Sequence, residues 1–126
     1  MNQLAAEWVT KANADLATAK RELVVTTNAN YDAVCFHAQQ CVEKLMKAVL
    51  AENSVGFTKT HDLIYLEGLV RSAAPSWTCD RNDLLMLAPA AVDYRYPGLA
   101  AGKHDAQGAV EAAERLGATL APLLPP

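Results

Sequence analysis

A chain of 126 residues with a formal charge of −3 has room for one core but not two, and it carries no overall field that would draw it to nucleic acid or anionic lipid, so any such contact must use a local patch. Hydrophobic residues make up 52% and aromatic residues 6%; with alanine so frequent and β-branched residues sparse outside Val24–Thr27, this composition favours helices over strands. Cys35, Cys41 and Cys79 are an odd set without paired spacing, which fits reduced core thiols, and the absence of a basic leader or a long apolar run predicts a cytoplasmic chain that does not enter membranes.

Leu4, Trp8, Ala12, Leu16, Ala19 and Leu23 recur every three or four residues and predict a first helix from Leu4 to about Val25. After the turn-prone Asn28-Ala29-Asn30, the stripe Val34, Ala38, Cys41, Leu45, Ala48 and Val49 predicts a second helix from Tyr31 to Glu52. Thr58 or Thr60 is placed to cap a third helix, with Asp62 in its first turn, and Leu63, Leu66, Leu69 and Val70 form its apolar face up to Pro75. A fourth helix starts at Asp80 and carries Leu84, Leu85, Leu87, Ala88, Ala91 and Val92. Pro89 inside it removes a backbone donor and should kink or split it, and Tyr94-Arg95-Tyr96-Pro97-Gly98 ends it. Gly102 to Asp105, a polar loop holding His104, leads into a last helix with Ala109, Ala112, Ala113, Leu116 and Leu120. The expectation is an all-α, antiparallel up-and-down bundle of four to five helices, one domain over residues 1–126, with a short irregular tail after about residue 121.

On the second helix His37, Gln40, Lys44 and Lys47 are spaced three, four and three, so they share one side next to the apolar stripe. Two readings stand. The face is solvated, with Glu43 and Lys47 an ordinary i,i+4 surface pair, or its groups act together on a ligand. His37 and Cys41 lie one turn apart, a spacing two metal ligands can share, but no second pair accompanies them and Cys41 belongs to the apolar stripe, so no metal or cofactor is expected.

Four blocks carry a resemblance. They are Trp8, Ala12 and Asp15 to Ala19; Tyr31 to Ala48, reading Tyr-Asp-Ala-Val-Cys-Phe-His-Ala-Gln-Gln-Cys-Val-Glu-Lys-Leu-Met-Lys-Ala; Lys-Thr-His-Asp-Leu at Lys59 to Leu63; and Tyr-Arg-Tyr-Pro-Gly at Tyr94 to Gly98. In this order they resemble the HEPN domain (higher eukaryotes and prokaryotes nucleotide-binding), loosest between Arg71 and Asp83 and after Leu120. The resemblance implies a four-to-five-helix bundle, commonly dimeric, often encoded beside a minimal nucleotidyltransferase in two-part toxin–antitoxin systems. It also implies a ribonuclease alternative, since many members are metal-independent RNA nucleases whose active site joins an Arg and a His with four to six residues between them, duplicated across the dimer. Here eight residues separate Arg95 from His104, with Pro97, Gly98 and Gly102 among them. The Arg-Tyr-Pro-Gly type resembles instead the subgroup proposed to bind nucleotides or to partner a nucleotidyltransferase.

The residues allow either chemistry. Metal-independent RNA cleavage needs a base, an acid and a cation for the phosphorane charge; Arg95 is the best cation, with His104, His61 and His37 as candidate bases. Nucleotide or RNA binding needs less: Arg95 grips a phosphate with help from Lys44 or Lys47 and the start of the third helix near Thr60, while a base stacks on Tyr94 or Tyr96. His37, Gln40 and His61 complete this candidate set. Arg95 complementing a helix end while its tyrosines pack on neighbours is the plain alternative. Trp8, Trp77 and the kinked fourth helix leave an apolar surplus that points to a homodimer, or to a structural dimer with no ligand.

Overall fold

A computed structural model describes residues 1–126. Five α-helices and three short 3-10 turns make up its regular structure, and there is no strand. α1 (Gln3–Leu23) is capped by Asn2, whose side chain accepts from the Ala5 N–H, and α2 (Tyr31–Glu52) by Asn30, which accepts from Ala33 in the same way. The cap of α3 (Leu63–Ala73) differs from the sequence expectation. Asp62 is the N-cap, accepting from the N–H groups of Ile64 and Tyr65, while Thr60 Oγ1 accepts from the Asp62 N–H and so holds the cap itself.

Asp80 caps α4 (Arg81–Leu87). Pro89 then splits the fourth pattern as expected, because its missing N–H and ring cannot continue an α-helix, and the chain proceeds through 3-10 turns at Ala88–Ala91 and Asp93–Arg95. Gly98 follows at φ +103°, a conformation glycine adopts without strain. α5 (Lys103–Leu120) begins earlier than the sequence suggests, so His104 lies in its first turn rather than in a loop. The segment after residue 121 keeps one 3-10 turn, Ala121–Leu123, and packs Leu123 and Leu124 against the core.

α2 is the axis of the bundle. α1, α3, α5 and the Ala88–Ala91 turn all pack on it, so burial extends beyond the Val34–Val49 stripe to Val42, Met46 and Leu50 and to polar Gln39, Gln40, Glu43 and Lys47. On α1 the fully buried apolar residues are Ala5, Ala12 and Ala19, seven apart. Their small side chains let the two helices approach closely, and the larger Trp8, Leu16 and Leu23 are displaced to half-buried flanks while Leu4 stays exposed. Trp77 is not spare surface: it is 3% exposed and its indole N–H donates to Thr119 Oγ1 at 3.1 Å, fastening the α3–α4 connection to α5.

Candidate functional site

The polar side of α2 is neither solvated nor free. Glu43 and Lys47 form an ion pair at 2.9 Å with side chains only 2% and 7% exposed, which corrects the expectation of a surface pair. A carboxylate so buried must be fully satisfied. Its Oε1 accepts from Gln39 and Gln40, both at 3.2 Å, and from His61 Nδ1 at 2.9 Å, while Oε2 takes Lys47. The Lys47 ammonium also donates to the Thr60 carbonyl at 3.0 Å and sits 5.3 and 5.7 Å from the ring centres of Trp8 and Phe57. One turn away, Asp15 of α1 reaches across to α2: Oδ1 accepts from His37 Nδ1 at 2.8 Å and Oδ2 from Lys44 at 2.6 Å.

Arg95 arrives elsewhere. It lines a depression of about 370 Å³ with Asn30, Asp32, Ala33, Phe36, Ala90 and Tyr94, and its guanidinium stands 5.7 Å from the centre of the Phe36 ring. Of the five arginines, Arg71, Arg81 and Arg115 are ion-paired and Arg21 bonds Thr18; the Arg95 guanidinium alone has neither an ion pair nor a hydrogen bond. Tyr94 is half-buried, and burial first, then the nearby carboxylates beginning with Asp105, raise its pKa and keep the phenol protonated. Tyr96, 65% exposed, takes no part in lining the depression. Asp32 of this wall is engaged through Oδ1 with the Ala101 N–H at 2.6 Å, which ties the loop before α5 to the start of α2.

Within one subunit, therefore, the candidate groups do not converge on a single groove. Gln40, Lys44, Lys47 and His61 line a second depression with Trp8, Glu43, Phe57 and Lys59. His104 lines a third with Cys35, Met86, Tyr94, Asp105, Gly108 and Ala109. Phe36 under Arg95 and Lys47 are eleven residues apart on α2, about 16 Å along its axis. At the start of α3 the Asp62 carboxylate already occupies the Ile64 and Tyr65 N–H groups that an anion would use.

The HEPN domain model matches residues 5–121. The chain belongs to the HEPN family. Two solved structures share its fold: TT1696 from Thermus thermophilus, at 21% identity and a TM-score of 0.78, covering 98% of this chain and 100% of that one, and ST0689, an archaeal HEPN homologue, at 19% identity and a TM-score of 0.69, covering 96% and 98%. No curated protein matches the sequence.

In this HEPN chain Arg95 sits in a 3-10 turn and His104 on α5, with Tyr94 the one residue lining both their depressions. Asp15 holds His37 Nδ1, and burial pushes the Cys41 thiol up to about 12, so it stays neutral. Two organising carboxylates, Asp15 and Glu43, escape a sequence reading based on charge faces. The available signal was positional. Asp15 falls between Ala12 and Ala19 on the buried side of α1, where an unpartnered carboxylate would be untenable. Phe36 and Ala33 were also missed, because apolar and small residues at a helix start resemble core, and Asn30 because it reads as part of a turn.

Proposed function

We propose that this chain is a nucleotide- or RNA-binding HEPN module of the Arg-Tyr-Pro-Gly type, acting as a homodimer and as the partner subunit of a minimal nucleotidyltransferase in a toxin–antitoxin-type system. The observation that carries the binding role is the state of Arg95. An arginine free of protein acceptors, propped on the Phe36 ring beside a protonated Tyr94, keeps its donors available for phosphate and lies next to two aromatic surfaces for a base. Assembly is supported by Leu85, Met86, Val92, Tyr96 and Leu99, each at least half exposed and all within one stretch around α4 and the turns after it.

Fluorescence anisotropy with short single-stranded RNA and with nucleotides tests the binding role. Arg95→Ala should weaken binding about tenfold or more, the loss expected for a charge-assisted contact. Equal affinity in the variant sinks this reading, and no binding by either protein leaves a structural dimer. Metal-independent cleavage of RNA that disappears in both Arg95→Ala and His104→Ala would instead make the protein a ribonuclease. Co-purification with a minimal nucleotidyltransferase, reduced by Leu85→Glu, tests the partner role.

A further inference from the structure

The second depression, of about 360 Å³ between α1, α2 and the α2–α3 loop, has a different construction. Its one carboxylate, Glu43, spends its oxygens on Gln39, Gln40, His61 and Lys47, so it presents no open acceptor to the mouth. Lys47 is locked between Glu43, the Thr60 carbonyl and two aromatic rings, forming a rigid floor. The groups left for a ligand are cationic or imidazole. Lys59 is exposed and joins no ion pair; Lys44 shares the single Asp15 carboxylate with His37; and His61, with Nδ1 held by Glu43, leaves Nε2 open on a half-exposed ring. Three lysines face one lining carboxylate and one behind it, so the mouth is net positive in a chain whose total charge is −3.

We infer that this depression is a site for a phosphate monoester, such as the terminal phosphate of a mononucleotide or of an RNA 5′ end. Lys59 and Lys44 supply point charges, the open His61 Nε2 accepts a hydrogen bond from the P–OH of a singly charged ester, and the Trp8 and Phe57 rings give the attached sugar or base an apolar wall. A phosphate monoester carries close to two negative charges near neutrality, and this lysine-lined mouth suits it better than the single charge of a diester. The assignment goes beyond the Arg95 reading and does not rest on it.

The test is titration of the full chain with inorganic phosphate, AMP, adenosine, and one short single-stranded RNA with either a 5′-phosphate or a 5′-hydroxyl. Amide and side-chain resonances of Trp8, Lys59 and His61 are followed by NMR at low salt. The site should take AMP, or the 5′-phosphorylated RNA, about tenfold more tightly than its dephosphorylated counterpart. Lys59→Glu should remove that preference without moving the unfolding temperature, while Lys103→Glu, an exposed lysine of α5 with no ion pair, leaves it intact. Preference for AMP assigns a free nucleotide, and preference for the phosphorylated RNA alone assigns an RNA end. Resonances that do not respond to phosphate in any form, or that respond alike in Lys59→Glu, overturn the assignment. Those outcomes are independent of what Arg95→Ala does to RNA binding.

Discussion

Replacing Glu43 with leucine removes the acceptor at the centre of the α2 network. Lys47, 7% exposed, would keep its charge with only the Thr60 carbonyl and two rings around it, and the Gln39 and Gln40 amides would lose an acceptor in the interior. Breaking a buried pair from one side costs roughly 3–5 kcal/mol. For a domain of this length a loss of 1 kcal/mol lowers the melting temperature by about 4 °C, so Glu43→Leu should melt roughly 10–20 °C below the parent. Adding Lys47→Met removes the stranded ammonium and should recover at least about 1–2 kcal/mol, because a hydrophobic pair of similar volume replaces a buried ion pair at little net cost. The assay is urea denaturation of the parent, both single variants and the double, followed by circular dichroism. If Glu43→Leu costs under about 1 kcal/mol, or if the two substitutions simply add, the network is not the buried, interdependent unit the geometry describes.

Other consequences are smaller and separable. Asp62→Ala removes the α3 cap and should cost about 1 kcal/mol in the same urea assay, with Asp62→Asn recovering most of it; an unchanged midpoint would mean that Thr60 and the loop hold α3 without it. Gly68→Ala, mid-helix with open space at its Cβ, should stabilise by about 0.5–1 kcal/mol, whereas Gly98→Ala, equally open but at φ +103°, should destabilise by about 1–2 kcal/mol; the opposite signs are the check. Burial raises the Cys35 thiol from 9.0 to about 11 and the Cys41 thiol from 9.0 to about 12, so above pH 9 the unfolded chain releases protons that the folded one retains. Stability from these thiols is therefore complete below pH 9 and is lost as pH climbs toward 11–12, and Cys41→Ala should flatten the fall of the urea midpoint over that window. A fall equally steep in the variant would remove Cys41 as a cause.

The helices were legible because their signals are local. Asn28-Ala29-Asn30 and the Val34–Val49 stripe mark out α2, and Pro89 divides the fourth pattern where its chemistry requires. What the sequence could not show is how many neighbours surround one helix. Lys47 on an isolated α2 would be solvated; with α1, the Phe57 loop and Thr60 closed over it, it becomes a buried cation with fixed partners. The α3 cap went to Asp62 instead of a threonine because the choice among adjacent capping residues depends on where the loop arrives. Arg95 was identified as the leading cation, but its separation from Lys44 and Lys47 follows from the path of the two 3-10 turns, which no periodicity encodes.

Chemical-shift mapping on the ¹⁵N-labelled chain titrated with short single-stranded RNA bears most directly on the binding role. The account predicts that the largest saturable changes fall on Ala33, Phe36, Tyr94 and Arg95, and that Arg95→Ala abolishes them. Changes that leave this wall untouched, or no changes at RNA concentrations several-fold above the roughly 0.1 mM dissociation constant at the weak end of non-specific binding, would contradict it.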